Sequence, residues 1–187
     1  FDFHLFFGSG LECEFGLTCL ETGRSEFFQE YMSEKRLLDI VNASSALPML
    51  FPMVQIDGKH YADGCVTSPI PFQRAFEKGC DKVVVVSTHY PGEIVTDFRK
   101  YRVILNPMFK RKYPDFFRAL MLRYKRYEKM FADMEKLEKA GKILIFRPEK
   151  EVCDLFATDR NELDESYNMG LEYAKRRMGD LKAFMEI

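Results

Sequence analysis

The residue best placed to do chemistry is Asp63. It ends the run Lys59-His60-Tyr61-Ala62, reads as the end of a hairpin strand, and stands before Gly64, where a backbone can turn sharply. A carboxylate fixed on such a turn can act as a general base if a nucleophile lies within hydrogen-bond reach. The same placement also suits an Asx turn, in which the carboxylate only closes its own loop, and spacing alone favours that plainer role. Ser44 and Ser45 are the nearest tempting nucleophiles. Both stand near a helix C-terminus rather than on a strand-to-helix elbow, so local hydrogen bonding is expected of them. His60 and His89 could in principle complete a histidine triad, but one alternates along a strand and the other ends one, and structural roles are expected.

Complete motifs are missing. The 187 residues hold no G-x-S-x-G, no P-loop, no G-x-G-x-x-G and no H-E-x-x-H; Gly8-Ser9-Gly10 and Gly23-Arg24-Ser25 are the nearest misses. With three His, and with Cys13, Cys19, Cys65, Cys80 and Cys153 never paired as C-x-x-C, no zinc or other metal is expected. The cysteines read as reduced, small apolar residues of an intracellular protein.

The elements that must position Asp63 are legible in outline. Residues 11–20 alternate, with Leu11, Cys13, Phe15, Leu17 and Cys19 on one side, and argue a half-buried strand. Thr22-Gly23 turns it back onto a partner at Ser25–Phe28. Ser33 is placed as the N-cap of a helix with Leu37, Leu38, Val41 and Ala46 on its apolar face, ending near Leu47 because Pro48 and Pro52 cannot continue it. Val54–Ile56 and Lys59-His60-Tyr61 flank Asp57-Gly58, a two-residue hairpin signal in which both positions need positive φ. A short helix over 72–78 stops at Gly79. Val83–Val86 then has no alternation, as in a strand buried on both faces of a parallel sheet, so the class expected is α/β. Beyond Pro91-Gly92, apolar residues at three- and four-residue steps predict a long helix over 115–140. Gly141 ends it; a short strand at 142–146, a helix over 162–178 and a final short helix follow.

Length and composition suit one folded domain with an appendage: 47% of residues are hydrophobic and 30% charged, which excludes disorder and low complexity. No apolar run reaches the roughly 18–20 residues of a membrane-spanning helix. The chain starts at Phe1 with no basic region before an apolar stretch, so no signal peptide is visible and a fragment of a longer protein is expected. The net charge of −1 hides an asymmetry: residues 99–129 carry eleven Lys or Arg against Asp115 and Glu128, a local +9, leaving −10 elsewhere. A solvated helix face is the plainer reading of that block. A nucleic-acid site is not expected, because its aromatic residues follow the apolar stripe rather than forming a stacking platform.

The stretch from Ala43 to Pro71, with its ordered blocks Ala43-Ser-Ser-Ala-Leu-Pro48, Ile56-Asp-Gly58, Tyr61-Ala-Asp-Gly64 and Pro69-Ile-Pro71, closely resembles the second half of patatin-like phospholipases, most of all their bacterial branch. Ala75, Gly79, Asp81, the valine run, Phe1-Asp2-Phe3, Glu21-Thr22-Gly23 and the helical C-terminal part also fit. The resemblance implies a three-layer α/β/α fold with a mainly parallel central sheet. Residues 1–98 would be the C-terminal part of the catalytic domain, and residues 99–187 a helical extension packed on it. It implies a lipid acyl hydrolase using a Ser–Asp dyad without histidine or cofactor, acting on a lipid or small ester. Asp63 matches the dyad aspartate and Gly64 the glycine that supports its turn. Cys65 stands where the family usually has Gly or Ala. The serine elbow and glycine-rich oxyanion loop belong to an N-terminal segment that this chain lacks, so the 187 residues alone are expected to be inactive. The rival expectation is a non-enzymatic interaction module, or pseudo-enzyme, of the same fold. A cytoplasmic location is expected, with the basic block making weak, salt-sensitive contact with anionic membrane surfaces.

Overall fold

The structure, a computed structural model, describes residues 1–93, 95–150, 152–153 and 157–186. These form two compact units: 1–71 with 96–129, and 72–95 with 130–187.

The first unit is built on a four-stranded sheet of β1 (Phe15–Cys19), β2 (Ser25–Phe28), β3 (Val54–Ile56) and β4 (Lys59–Asp63), in the order β2-β1-β4-β3. Every pairing is antiparallel. Asp57 and Gly58 have φ of 50° and 80°, so the β3–β4 hairpin closes as its sequence requires. Ser25–Phe28 returns along β1 as expected, but β1 is shorter than the alternating run, because the ladder starts only where Phe15 faces Phe28. The helix Glu34–Ser44 begins at Ser33, whose hydroxyl accepts the Arg36 N–H. Ile40 and Ala43 pack with Leu17, Cys19, Ile56 and Tyr61. The buried stripe is Leu37, Ile40 and Ala43, while Leu38 and Val41 face water, so the apolar face is rotated from the one expected. Ala46 is buried. Leu20, just past β1, and Ala62 of β4 pack with Val66 against Leu105, Phe109, Tyr113, Phe116 and Leu120.

Leu120 belongs to the long helix Pro114–Lys139, close to its predicted bounds, with Gly141 at φ 65° just beyond it. Most of the unit's core is aliphatic and aromatic. Among the described residues of this unit, the buried polar ones are Thr18 and Arg123.

In the second unit, β5 (Val83–Val86) and β6 (Ile143–Phe146) form a separate two-stranded parallel sheet. The helices Phe72–Glu77, Arg160–Arg176 and Met178–Met185 belong to the same unit. Tyr173 meets the Phe146 ring edge-on, and the Arg177 guanidinium donates to the Ile145 carbonyl at 2.7 Å, which anchors the C-terminal helices to β6.

Two expectations are corrected. Helices and strands are both present, as an α/β chain requires, but the larger sheet is antiparallel rather than mainly parallel: the Thr22-Gly23 and Asp57-Gly58 turns join neighbours directly, and tight hairpins pair strands only that way. The valine strand is not buried on both faces. Val85 is buried whereas Val86 is 81% exposed, because the pair has one covered and one open face.

Candidate active site

Asp63 sits where β4 runs into a single 3-10 turn, Gly64–Val66. Three backbone-anchored bonds fix it. Its Oδ1 accepts the Cys65 N–H at 2.7 Å, its own N–H donates to the Ala46 carbonyl at 3.0 Å, and its carbonyl accepts the Thr18 hydroxyl at 2.9 Å. The carboxylate therefore does close its own turn, as the plainer sequence reading holds. The backbone that carries it is also tied on both sides, to the segment after helix Glu34–Ser44 and to β1.

The bond from Thr18 is the last of a series. Thr18 and Thr67 hydroxyls lie 2.8 Å apart, and the Ser25 hydroxyl donates to Thr67 at 2.8 Å. Thr18 has one hydroxyl proton and gives it to the Asp63 carbonyl, so Thr67 is the donor to Thr18. The series runs in one direction, Ser25 to Thr67 to Thr18 to Asp63.

Behind the turn lies a cation. Arg123 is 9% exposed. It donates to the Thr96 carbonyl at 3.2 Å and to the Tyr127 hydroxyl at 2.9 Å, and its guanidinium lies 4.3 Å from the Tyr127 ring centroid. Its Nε is buried with no hydrogen-bond partner. Cys65 shares this environment: burial, and then the Asp63 charge, push its thiol up to about 12, against the opposing pull of Arg123. Burial also raises the Tyr127 phenol, again with Arg123 opposing and Cys65 and Asp63 adding. Asp63, Cys65, Arg123 and Tyr127 thus form one electrostatic neighbourhood inside the first unit.

The other candidates are held locally. Ser44 and Ser45 hydroxyls both donate to the Val41 carbonyl. His60 Nδ1 lies 2.9 Å from Glu21, which also accepts the His60 backbone N–H. His89 Nδ1 lies 2.8 Å from Glu93, and its ring meets Phe131 edge-on, in the second unit. All five cysteines are free thiols. Among the described residues, no group of three or more His, Cys, Asp or Glu could hold a metal ion, and no helix is long and apolar enough to cross a membrane.

In the sequence Arg123 stands in the basic block 99–129, for which a solvated face is expected, yet it is buried. A signal existed: it follows Phe116, Ala119 and Leu120 and precedes Tyr127 at helical spacing, so it lies on the buried stripe. Arg126 also turns inward, donating to the Ala119 carbonyl at 2.7 Å, and Arg99 is held by Asp97.

No curated protein matches the chain. Residues 113–186 match the model of a domain of unknown function (DUF6363). Residues 17–76, which run from β1 through the Asp63 turn, match the model of the patatin-like phospholipases, and this match supports that family for the part of the chain that carries Asp63.

Proposed function

We propose that this chain is part of a patatin-like serine acyl hydrolase of the bacterial branch, and that Asp63 is the base of its Ser–Asp dyad. Residues 1–98 would belong to the catalytic domain and 99–187 to its helical extension. The serine elbow and the oxyanion donors would come from residues outside these 187. The observation that carries the reading is the rigid seat of Asp63: both backbone ends are bonded and the carboxylate is half-buried on a turn beside Gly64.

The dyad chemistry follows from that seat. Asp63 takes the serine proton as the hydroxyl oxygen attacks the ester carbonyl, and then gives that proton to the departing alcohol. Water attacks the acyl-serine next, with Asp63 accepting its proton and returning it to the serine. With no histidine in the pair, the carboxylate must reach the hydroxyl itself, so a fixed backbone matters more than a flexible reach. No cofactor is needed, and the substrate is a lipid or small ester.

The test is Asp63→Asn in the protein that includes the serine segment, assayed on p-nitrophenyl esters. The amide oxygen still accepts the Cys65 N–H, so the fold should persist while turnover falls by about 10²–10⁴. The 187-residue chain alone should show no turnover that a fluorophosphonate blocks. Wild-type turnover in Asp63→Asn would return Asp63 to its turn, whereas no fluorophosphonate-sensitive turnover in the unmutated protein that includes the serine segment would favour the non-enzymatic reading.

A further inference from the structure

The helical run after Asp97 has apolar residues on both of its sides. It comprises a 3-10 turn Phe98–Tyr101, an α turn Arg102–Leu105 and a π turn Asn106–Lys110, and the Asp97 carboxylate caps its start by accepting the Arg99 N–H at 3.0 Å. Leu105 and Phe109, with the half-buried Phe98, face the core of the first unit. On a helical period the opposite side holds Lys100, Val103, Ile104, Pro107, Met108 and Arg111. Water should meet polar side chains there. Instead Val103 is 86% exposed, Ile104 54% and Met108 48%. One exposed apolar residue is ordinary, but this group is contiguous along the run and forms a patch.

The rim decides what fits the patch. Lys100, Arg102, Lys110, Arg111 and Lys112 are exposed, and residues 99–112 contain six Lys or Arg and no Asp or Glu. A second copy of this chain would press those cations against their own kind. A nucleic acid would suit the charge but not Val103, Ile104 and Met108, which offer no flat ring for a base. An anionic bilayer satisfies both halves: apolar side chains enter the boundary between headgroups and acyl chains, and cations meet the lipid phosphates.

We propose that residues 99–112 form a membrane-docking surface, with Val103, Ile104 and Met108 inserting at the headgroup boundary of an anionic bilayer and Lys100, Arg102, Lys110, Arg111 and Lys112 holding it there. The surface rests on this segment alone and does not depend on Asp63 acting as a base.

The experiment is flotation of the full chain with vesicles of phosphatidylcholine alone, or with one-third phosphatidylglycerol, at low and high salt. Binding to the anionic vesicles should be about tenfold tighter or more, and should weaken as salt shortens the reach of the charges. Val103→Glu/Ile104→Glu should lose most binding to either vesicle. Lys110→Gln/Arg111→Gln/Lys112→Gln should lose the preference for the anionic one. Both variants change exposed side chains, so their melting curves by circular dichroism should match the wild type; if the first variant does not fold, the second reads the proposal by itself. Equal binding to both vesicles, no binding at low salt, or wild-type binding by the Glu variant overturns it. So does tighter binding to a DNA duplex than to the anionic vesicle, or a dimer in light scattering that the Glu variant dissolves.

Discussion

Gly64 passes so close to Gly16 that a β-carbon on it would lie 2.3 Å from the Gly16 carbonyl oxygen and 2.8 Å from its carbonyl carbon. The obstacle is backbone of β1, which cannot swing aside as a long side chain can. The turn that follows Asp63 is therefore held against β1 by contact as well as by hydrogen bonds.

Gly64→Ala should destabilise the fold by about 1–3 kcal/mol or more, since either the turn or β1 must shift. Gly58→Asn is the control. Gly58 has φ 80° but nothing within 4 Å of its would-be β-carbon, and Asn accepts that conformation. Its melting temperature should stay within a few degrees of wild type, by differential scanning calorimetry, while that of Gly64→Ala falls clearly.

Cys65 should be a poor nucleophile despite its place beside Asp63. Its thiol is pushed up to about 12, by burial first and the neighbouring carboxylate second, so almost none is thiolate near neutrality. Iodoacetamide at mildly alkaline pH should label the exposed Cys80 well before Cys65, as read by peptide mass spectrometry. Asp63→Asn should quicken Cys65 only slightly, because burial remains. Labelling of Cys65 as fast as Cys80 would show that the turn opens.

Glu26 should make the first unit sensitive to acid. Burial pushes its carboxyl up, but hydrogen bonds from the Tyr61 hydroxyl at 2.7 Å and from Lys59 outweigh this and hold it below the usual carboxylate range. Glu21 shifts in the same direction: burial raises it, and hydrogen bonds from His60, from its own backbone and from Cys19 together more than offset that. A carboxyl depressed in the folded state binds its proton more readily when unfolded. Its stabilisation is thus present at neutral pH and is lost as pH falls through and below the ordinary carboxylate value. The melting temperature should hold from neutral pH down to about pH 5 and drop below about pH 4.5, and less steeply in Glu26→Gln, which has no charge there to lose.

What the sequence made legible was mostly local. The Asp57-Gly58 hairpin and the stop at Gly141 depend on a positive φ that few residue types adopt, and the Ser33 cap on a short side-chain acceptor, so in each case the residue names the structure. The Asp63 turn is legible because its carboxylate closes on the Cys65 N–H and only glycine at 64 fits against the Gly16 backbone. Burial was harder to read, because it depends on what covers a face. Val83–Val86 looks alike whether it lies inside a wide sheet or in a pair with one open face, and only the pairing with β6 alone separates the two. Leu38 and Ile40 are equally apolar, yet the docking of helix Glu34–Ser44 on β1 and β4 decides which is buried. Arg123 was misread because a basic residue inside a basic block looks solvated, while its place on the stripe puts it among aromatic rings.

The one-way series from Ser25 through Thr67 and Thr18 ends on the carbonyl of Asp63, not on its carboxylate. A carbonyl has no proton to pass on, so the series is a mooring line and not a wire. Any proton that Asp63 takes up has no exit through β1 and β2. In the proposed dyad the proton therefore returns on the carboxylate's own side, and Ser25, Thr67 and Thr18 take no part in moving it.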